Sequence, residues 1–376
     1  AIPAAHLAAL YFAYFAYVGA QGPYFSLYLQ SVGASSWQIG VLLGAMQLAR
    51  IFAPNFWATR ADRSGSFAKW LRLAIVLGTL AFAGMFATTA FVGMLAVLLV
   101  HAFCSGGAMP LLEAITLASL RGQIGHYGAI RLWGSVGFIV AVLAVGWQLD
   151  HAPIASQLYT VTALLVVTCA VAMFLRDASI PKRRVLVSIG PLIAQPGVKA
   201  LLTACFLMTV AHGPFYAFYS IYLADHGYSK TTIGWLWSIG VIVEIVVFWL
   251  QPRWSRRFSM ASVLTASLAC GVLRFVMIGY GVESGVILAI AQLLHGATFG
   301  SYHVAALAIT HRKFGEAAQA RGQGLYMSVS FGAGGLAGAL ASGLAWERIG
   351  PAATFAAASI CALVGLAVAW KSRKNW

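Results

Sequence analysis

Long apolar runs, separated by short polar or glycine- and proline-containing breaks, recur along the whole 376-residue chain. Cutting at those breaks predicts twelve helices, near 7 to 30, 36 to 57, 70 to 90, 92 to 118, 128 to 148, 153 to 175, 199 to 224, 231 to 251, 260 to 280, 285 to 310, 323 to 344 and 350 to 370. Each can cross a hydrocarbon core of roughly 30 Å at about 1.5 Å per residue. Alternating segments of about ten residues, the mark of a membrane β-barrel, do not occur, and runs such as AVLLVHAF argue against them. The pattern predicts an all-α membrane protein that passes the bilayer many times.

The pattern is also doubled. Residues 25 to 35, FSLYLQSVGAS, return 194 positions later as YSIYLADHGYS at 219 to 229. The same offset carries Arg50 onto Glu244, His101 onto His295, and Ile39-Gly40 onto Ile233-Gly234. Two six-helix bundles are therefore expected, 1–175 and 199–376, related by a pseudo-twofold axis along the membrane normal. The basic, proline-containing stretch 176–198 is the expected cytoplasmic linker. A polar site at the interface of two repeats is the arrangement of a secondary transporter, with helices 1 to 6 and 7 to 12 around a central cavity.

Composition sharpens this picture. Hydrophobic residues make up 61% of the chain and charged residues 9%, far from the quarter or so charged in soluble domains. The formal net charge of +15 invites a nucleic-acid partner, but its placement gives a plainer account. Basic residues from Arg60 to Arg72, Arg121 to Arg131, Arg176 to Lys199, Arg253 to Arg257, Arg312 to Arg321 and Lys371 to Lys374 all fall on one side of the predicted spans or at its boundary. Opposite them lie only Lys230 and Arg348, with Asp150, Asp225, Glu283 and Glu347. This is the positive-inside bias, and it predicts both termini in the cytoplasm. The partners expected are the bilayer and a small-molecule substrate, with no nucleic acid and a monomeric chain.

Cys104, Cys169, Cys205, Cys270 and Cys361 all fall in predicted spans without metal-type spacing, and are read as reduced core residues. No metal or cofactor is expected. The first apolar stretch has no basic residue before it and is expected to be a span rather than a leader.

Ionisable residues inside spans are costly, about 2.5 to 3.5 kcal/mol at the bilayer centre on insertion scales, so Arg50, Glu113, Glu244 and Arg274 should face a partner or water. Glu244 is the expected proton carrier, with Glu113 as the other candidate and Arg274 or Arg50 as counter-charge. A planar guanidinium can fork onto a carboxylate, which makes Arg50 and Arg274 the candidates for reading an acidic substrate. Trp237, Gly240 and Glu244 share one helix face, offering an indole, a gap and a carboxylate. On an ideal helix His295 and His303 lie about 80° and 12 Å apart, too far to share a metal. Each is a candidate for coupling at neutral pH. His101 and His212 read as packing residues.

Tyr24 with Tyr28, and Phe215 with Tyr219, share faces beside Gly22-Pro23 and Gly213-Pro214. They are candidates to line a cavity for an aromatic solute, and the Gly-Pro pairs predict kinks. Ordinary packing is the plainer reading of such stripes, and Trp235 reads as a lipid-interface anchor. A membrane-embedded enzyme finds little support, since no HExxH occurs and the twofold repeat would have no catalytic purpose.

Asp62-Arg63-Ser64-Gly65, between the second and third spans, resembles the loop motif of the major facilitator superfamily, Gly-x-x-x-Asp-Arg-x-Gly-Arg-Arg. The match rests on Asp62, Arg63 and Gly65, since Ala58 replaces the first glycine and Ser66 the first closing basic residue. The resemblance implies the major facilitator fold, with Asp62 and Arg63 at a cytoplasmic gate. A closer likeness covers most of the chain. The stretches LLGAMQLAR, YGAIRLWGSVGF, IGWLWSIGVIVE, CGVLRF and QLLHGATFGSYHVAAL resemble helices 2, 5, 8, 9 and 10 of the phenylpropionate permease family. That likeness implies proton-coupled uptake of a small organic solute such as an aromatic carboxylate, by alternating access. A looser parallel to the lactose permease family runs through Glu113, Arg131, Glu244, Arg274 and His295, and keeps a sugar symporter as the alternative. In that case selectivity would rest on Glu113 with Arg131. Proton-driven efflux is a third reading, because direction is set by gradients.

Overall fold

A computed structural model describes residues 3–120, 126–175, 177 and 189–376. Arg121, Arg176 and Lys182 to Arg184 of the expected basic loops lie outside the described residues. In chain order the helices are α1 Ala4–Gln21, α2 Phe25–Ser31, α3 Ser36–Ser64, α4 Phe67–Ala83, α5 Phe91–Ser105, α6 Ala108–Ser119, α7 Tyr127–His151 and α8 Ser156–Met173. They continue as α9 Gly190–Ala194, α10 Pro196–Ala211, α11 Gly213–Asp225, α12 Lys230–Trp254, α13 Met260–Tyr280, α14 Gly285–Leu293, α15 Tyr302–Met327, α16 Gly335–Ile349 and α17 Pro351–Ser372.

Taken in continuous stretches, eleven helices among the described residues are long and apolar enough to cross a membrane. They correspond to the second through twelfth expected spans. The first expected span is two pieces, α1 and α2, interrupted at Gly22-Pro23-Tyr24. Proline lacks the N–H that would continue the helical ladder, and the break follows from that. The seventh span breaks in the same way, with α10 ending at Ala211 and α11 restarting at Gly213-Pro214. The kinks expected at both Gly-Pro pairs are present. The expected linker is shorter at its C-terminal end, because Pro196 takes the first helical position of α10, where a missing N–H costs nothing.

Contacts divide the chain into two compact units. One comprises Ala1–Ser35, Ala49–Arg184 and Ser229–Trp235, the other Ser36–Leu48, Val185–Tyr228 and Leu236–Trp376. In the first, Leu7, Leu10, Tyr11, Trp57, Leu71, Leu112 and Ile130 form the centre of the core. The second centres on Leu201, Met208, Leu264, Leu268, Tyr302 and Tyr326. Lipid tails are as apolar as leucine, so helices in a bilayer gain from close backbone approach at small residues rather than from hydrophobic burial. Gly19 shows this, since a Cβ there would lie 2.5 Å from the Phe138 carbonyl oxygen. Large apolar side chains such as Val92, Tyr159 and Trp249 face outward, as lipid contact requires.

The sequence repeat is a structural repeat at the helix starts. Gly33 and Gly227, 194 residues apart, both take left-handed backbone (φ 85° and 81°) in the turns before α3 and α12. The N–H of Trp37 donates to Glu347 at 2.8 Å, and that of Thr231, its counterpart at the same offset, to Asp150 at 2.9 Å. Lys230 N–H also donates to Asp150, at 2.7 Å. Acids at the ends of α16 and α7 thus satisfy otherwise unpaired donors at the starts of α3 and α12. Tyr24 reinforces the second tie, its hydroxyl donating to the carbonyls of Val142 (2.9 Å) and Lys230 (3.1 Å).

Candidate functional site

In the second unit, α11, α12, α13 and the segment from Gln292 to His303 bring most of the expected C-terminal residues together. Arg274, on α13, is fully buried. Its Nε–H donates to the Ala291 carbonyl (3.1 Å), Nη1–H to His212 Nε2 (3.2 Å) and to Thr298 Oγ1 (3.3 Å), and Nη2–H to Gln292 Oε1 (3.4 Å). The guanidinium also lies 4.2 Å from the centre of the Phe215 ring, within cation–π range. Arg274 was expected to fork onto a substrate carboxylate. Four of its five donors go instead to neutral internal acceptors, which makes it a fixed buried charge.

His212 was expected only to pack, and it does more. Its Nδ1 sits 2.8 Å from the Met208 carbonyl, where only a protonated nitrogen can donate. That fixes Nε2 as the acceptor for Arg274 and keeps the imidazole neutral while the contact lasts.

Glu244, on α12, meets His295 at 2.7 Å between Oε1 and Nε2. Arg274 lies close enough to interact electrostatically with Glu244, as expected of the counter-charge, while the direct hydrogen-bond partner of the carboxylate is His295. With Glu244 ionised, His295 Nε2–H donates to it; with Glu244 protonated, the carboxyl O–H donates to Nε2. The pair therefore has two chemically sensible states that differ by one proton. His295 lies 5.5 Å from the Phe215 ring centre and 6.3 Å from that of His212.

The gap expected at Gly240 is filled. A Cβ there would stand 3.0 Å from His295 Cδ2, so the imidazole occupies the notch between Trp237 and Glu244. Trp237 donates from Nε1 to Ser220 Oγ at 3.0 Å, and its ring lies 4.6 Å from Phe215. Tyr219 flanks both rings, at 4.9 Å from Phe215 and 6.1 Å from Trp237. Phe215, Trp237 and Tyr219 thus form one aromatic wall beside the charged groups.

His303 departs from the ideal-helix expectation. A π-helical turn at Gly296–Ser301 precedes α15. One such bulge adds a residue and shifts the downstream face by about 100°, which cancels the 80° separation of an ideal helix. His295, Phe299 and His303 consequently stack, with ring centres 5.6 and 6.3 Å apart and planes within 10° and 11°. His303 Nδ1 pairs with Tyr326 Oη at 3.0 Å rather than with Glu244.

The first unit holds a second cluster. Tyr127 donates to Glu113 at 3.4 Å, and Arg131 stacks over Phe15 (4.2 Å) and Tyr11 (5.5 Å). Arg50, on α3, is exposed and lies close enough to Tyr14 and Tyr17 of α1 to interact electrostatically with both. His101 is held by Tyr17 Oη and the Gly78 carbonyl, each at 2.8 Å, as a packing residue would be. Its repeat partner, His295, contacts a carboxylate instead.

Two expected cavity residues are placed otherwise. Tyr24 is fully buried with its hydroxyl committed to two carbonyls, and Tyr28, also buried, packs its ring on Phe25. Their faces are taken up by helix packing in this structure, as are those of the equally buried Phe215 and Tyr219. Asp62 and Arg63 are exposed at the end of α3, just before Gly65, which turns the chain with φ 72°. Asp177, which the sequence left unremarked, accepts from Ser66 Oγ and Ala68 N at 2.6 Å each and so caps α4.

The MFS_1 like family matches residues 4–357. A probable 3-phenylpropionic acid transporter of Escherichia coli (strain K12) is 30% identical, over 87% of this chain and 86% of its own. The maltose permease of Geobacillus stearothermophilus is 29% identical over 95% and 91%. Among solved structures, a mutant of the nucleoside transporter NupG superposes with a TM-score of 0.89 at 18% identity, covering 98% of this chain and 99% of that one. The long apolar helices, the buried ionisable cluster and this whole-chain match agree. The chain belongs to the MFS_1 like family and is a secondary transporter of the major facilitator type, not an enzyme.

Proposed function

We propose that this transporter couples protons to a small aromatic carboxylate in symport, in a bacterial inner membrane with both termini cytoplasmic. The observation that carries the reading is the 2.7 Å contact of His295 with Glu244, in the same cluster as the caged charge of Arg274. Arginine does not give up its proton, so Arg274 supplies a fixed positive charge. With Glu244 ionised and both histidines neutral, the cluster is neutral. Protonating Glu244 leaves it with one net positive charge, which an anionic substrate balances. Proton and anion then stabilise each other's binding, as symport requires.

The wall of Phe215, Trp237 and Tyr219 suits an aromatic ring. Of the two arginines expected to read a carboxylate, Arg50 is the exposed one, beside Tyr14 and Tyr17. The kinship with a probable 3-phenylpropionic acid transporter points the same way. A neutral sugar is the second reading, supported by the internal cage on Arg274 and by the maltose permease relative.

The test is uptake by proteoliposomes under an imposed inward proton gradient. Labelled 3-phenylpropionate should accumulate, competed by other aromatic acids and far less by 3-phenylpropionamide or maltose. Equal competition by acid and amide would remove the carboxylate assignment.

A further inference from the structure

Where α12 passes the Gln292 to Ser301 segment, three glycines interlock the two. Gly240 on α12 faces His295, at 3.0 Å from Cδ2 and 3.3 Å from Cγ for a built Cβ, with Gln292 Oε1 at 3.5 Å. Gly296 faces Val243, whose Cγ1 a Cβ would overlap. Gly300 faces Val247 at 3.3 Å and Glu244 Cγ at 3.7 Å. Glu244 follows Gly240 by four residues, so both stand on one face of α12. The imidazole reaches the carboxylate because nothing projects from position 240.

His295 has no easy retreat. Phe299 stacks on its ring at 5.6 Å and 10°, and Phe215 lies 5.5 Å away. A methyl group at position 240 would therefore push the ring along a direction already occupied, and the element free to lengthen is the 2.7 Å contact to Glu244. Hydrogen bonds weaken steeply as geometry departs from the optimum.

We infer that Gly240 is a positioning residue for proton coupling, whose missing side chain seats His295 against Glu244. This rests on the reading that the pair carries the coupled proton. The charged and titratable groups around the ring are Glu244 from α12, Arg274 from α13, His212 from the α10–α11 junction, Tyr219 from α11, and His303 beyond Phe299.

The experiment compares Gly240→Ala with the wild type and with Gly324→Ala, whose Cβ meets nothing within 4 Å. Two quantities are read from reconstituted, purified protein with labelled 3-phenylpropionate: exchange at equal pH on both sides, and accumulation driven by a pH gradient, across external pH. Gly240→Ala should keep exchange within about twofold, lose about tenfold in gradient-driven accumulation, and shift its pH profile. Tenfold is the loss expected when one charged hydrogen bond weakens by about 1.4 kcal/mol. Gly324→Ala should match the wild type in both. An unchanged ratio and pH profile in Gly240→Ala would overturn the inference, as would a parallel fall of exchange and accumulation, which marks a packing role alone. If wild-type protein shows no gradient-driven accumulation, the functional reading itself fails, and the two failures are thereby distinct.

Discussion

Replacing Arg274 with lysine separates a structural charge from a substrate clamp. The guanidinium spreads four hydrogen bonds over three nitrogens, to acceptors 3.1 to 3.4 Å away on Ala291, His212, Thr298 and Gln292. A lysine ammonium is a single point with three donors and cannot span that fork. About two of the four acceptors would be left buried without a donor, each costing about 1 to 3 kcal/mol, or on the order of 4 kcal/mol together. The stacking on Phe215 at 4.2 Å would be lost as well. Thermal unfolding of the purified protein in lipid nanodiscs should therefore show Arg274→Lys melting several degrees below the wild type, before any substrate is added. Binding of acidic and neutral probes should fall together. A variant with wild-type thermal stability and a selective loss of acid binding would refute the cage argument and return Arg274 to the role of a clamp.

The converse is expected at Arg50: Arg50→Lys should leave the melting temperature unchanged while weakening 3-phenylpropionate about tenfold and 3-phenylpropionamide little, read by calorimetric or fluorescence titration. At the start of α12, Asp150→Ala should cost about 1 kcal/mol by removing the acceptor of the Lys230 and Thr231 N–H groups, seen as a lower melting temperature. Tyr24→Phe removes one O–H donor shared between two helix carbonyls and should destabilise by about 1 kcal/mol without changing substrate selectivity.

Much of this was legible in the sequence because a bilayer allows so few backbone solutions. Apolar run lengths located the spans, the Gly-Pro pairs located both kinks, and the 194-residue offset reappears as paired left-handed turns at Gly33 and Gly227. The site was legible as a set of residues and not as a set of contacts. Charge counting finds Arg274 as the electrostatic partner of Glu244 but not the direct contact with His295, because Gly240 opens a notch that periodicity reads as empty space. The π-turn at Gly296–Ser301 leaves no trace in hydropathy, yet it decides which face His303 shares. Arg274 looked free because its partners, Ala291, Thr298 and Gln292, are neutral acceptors of a kind found throughout the chain. Tyr24 looked like a ligand residue because an aromatic beside Gly-Pro does not reveal what its hydroxyl meets.

The most direct test of the account is Glu244→Gln. Glutamine keeps the size of the side chain and a polar group facing His295 but cannot take up or release a proton, so it imitates the protonated carboxyl alone. In proteoliposomes the variant should exchange 3-phenylpropionate across the membrane at a rate comparable to the wild type, while accumulation driven by a pH gradient falls to the level of an equilibrating carrier. Undiminished gradient-driven accumulation by Glu244→Gln would contradict the claim that the Glu244–His295 pair carries the coupled proton.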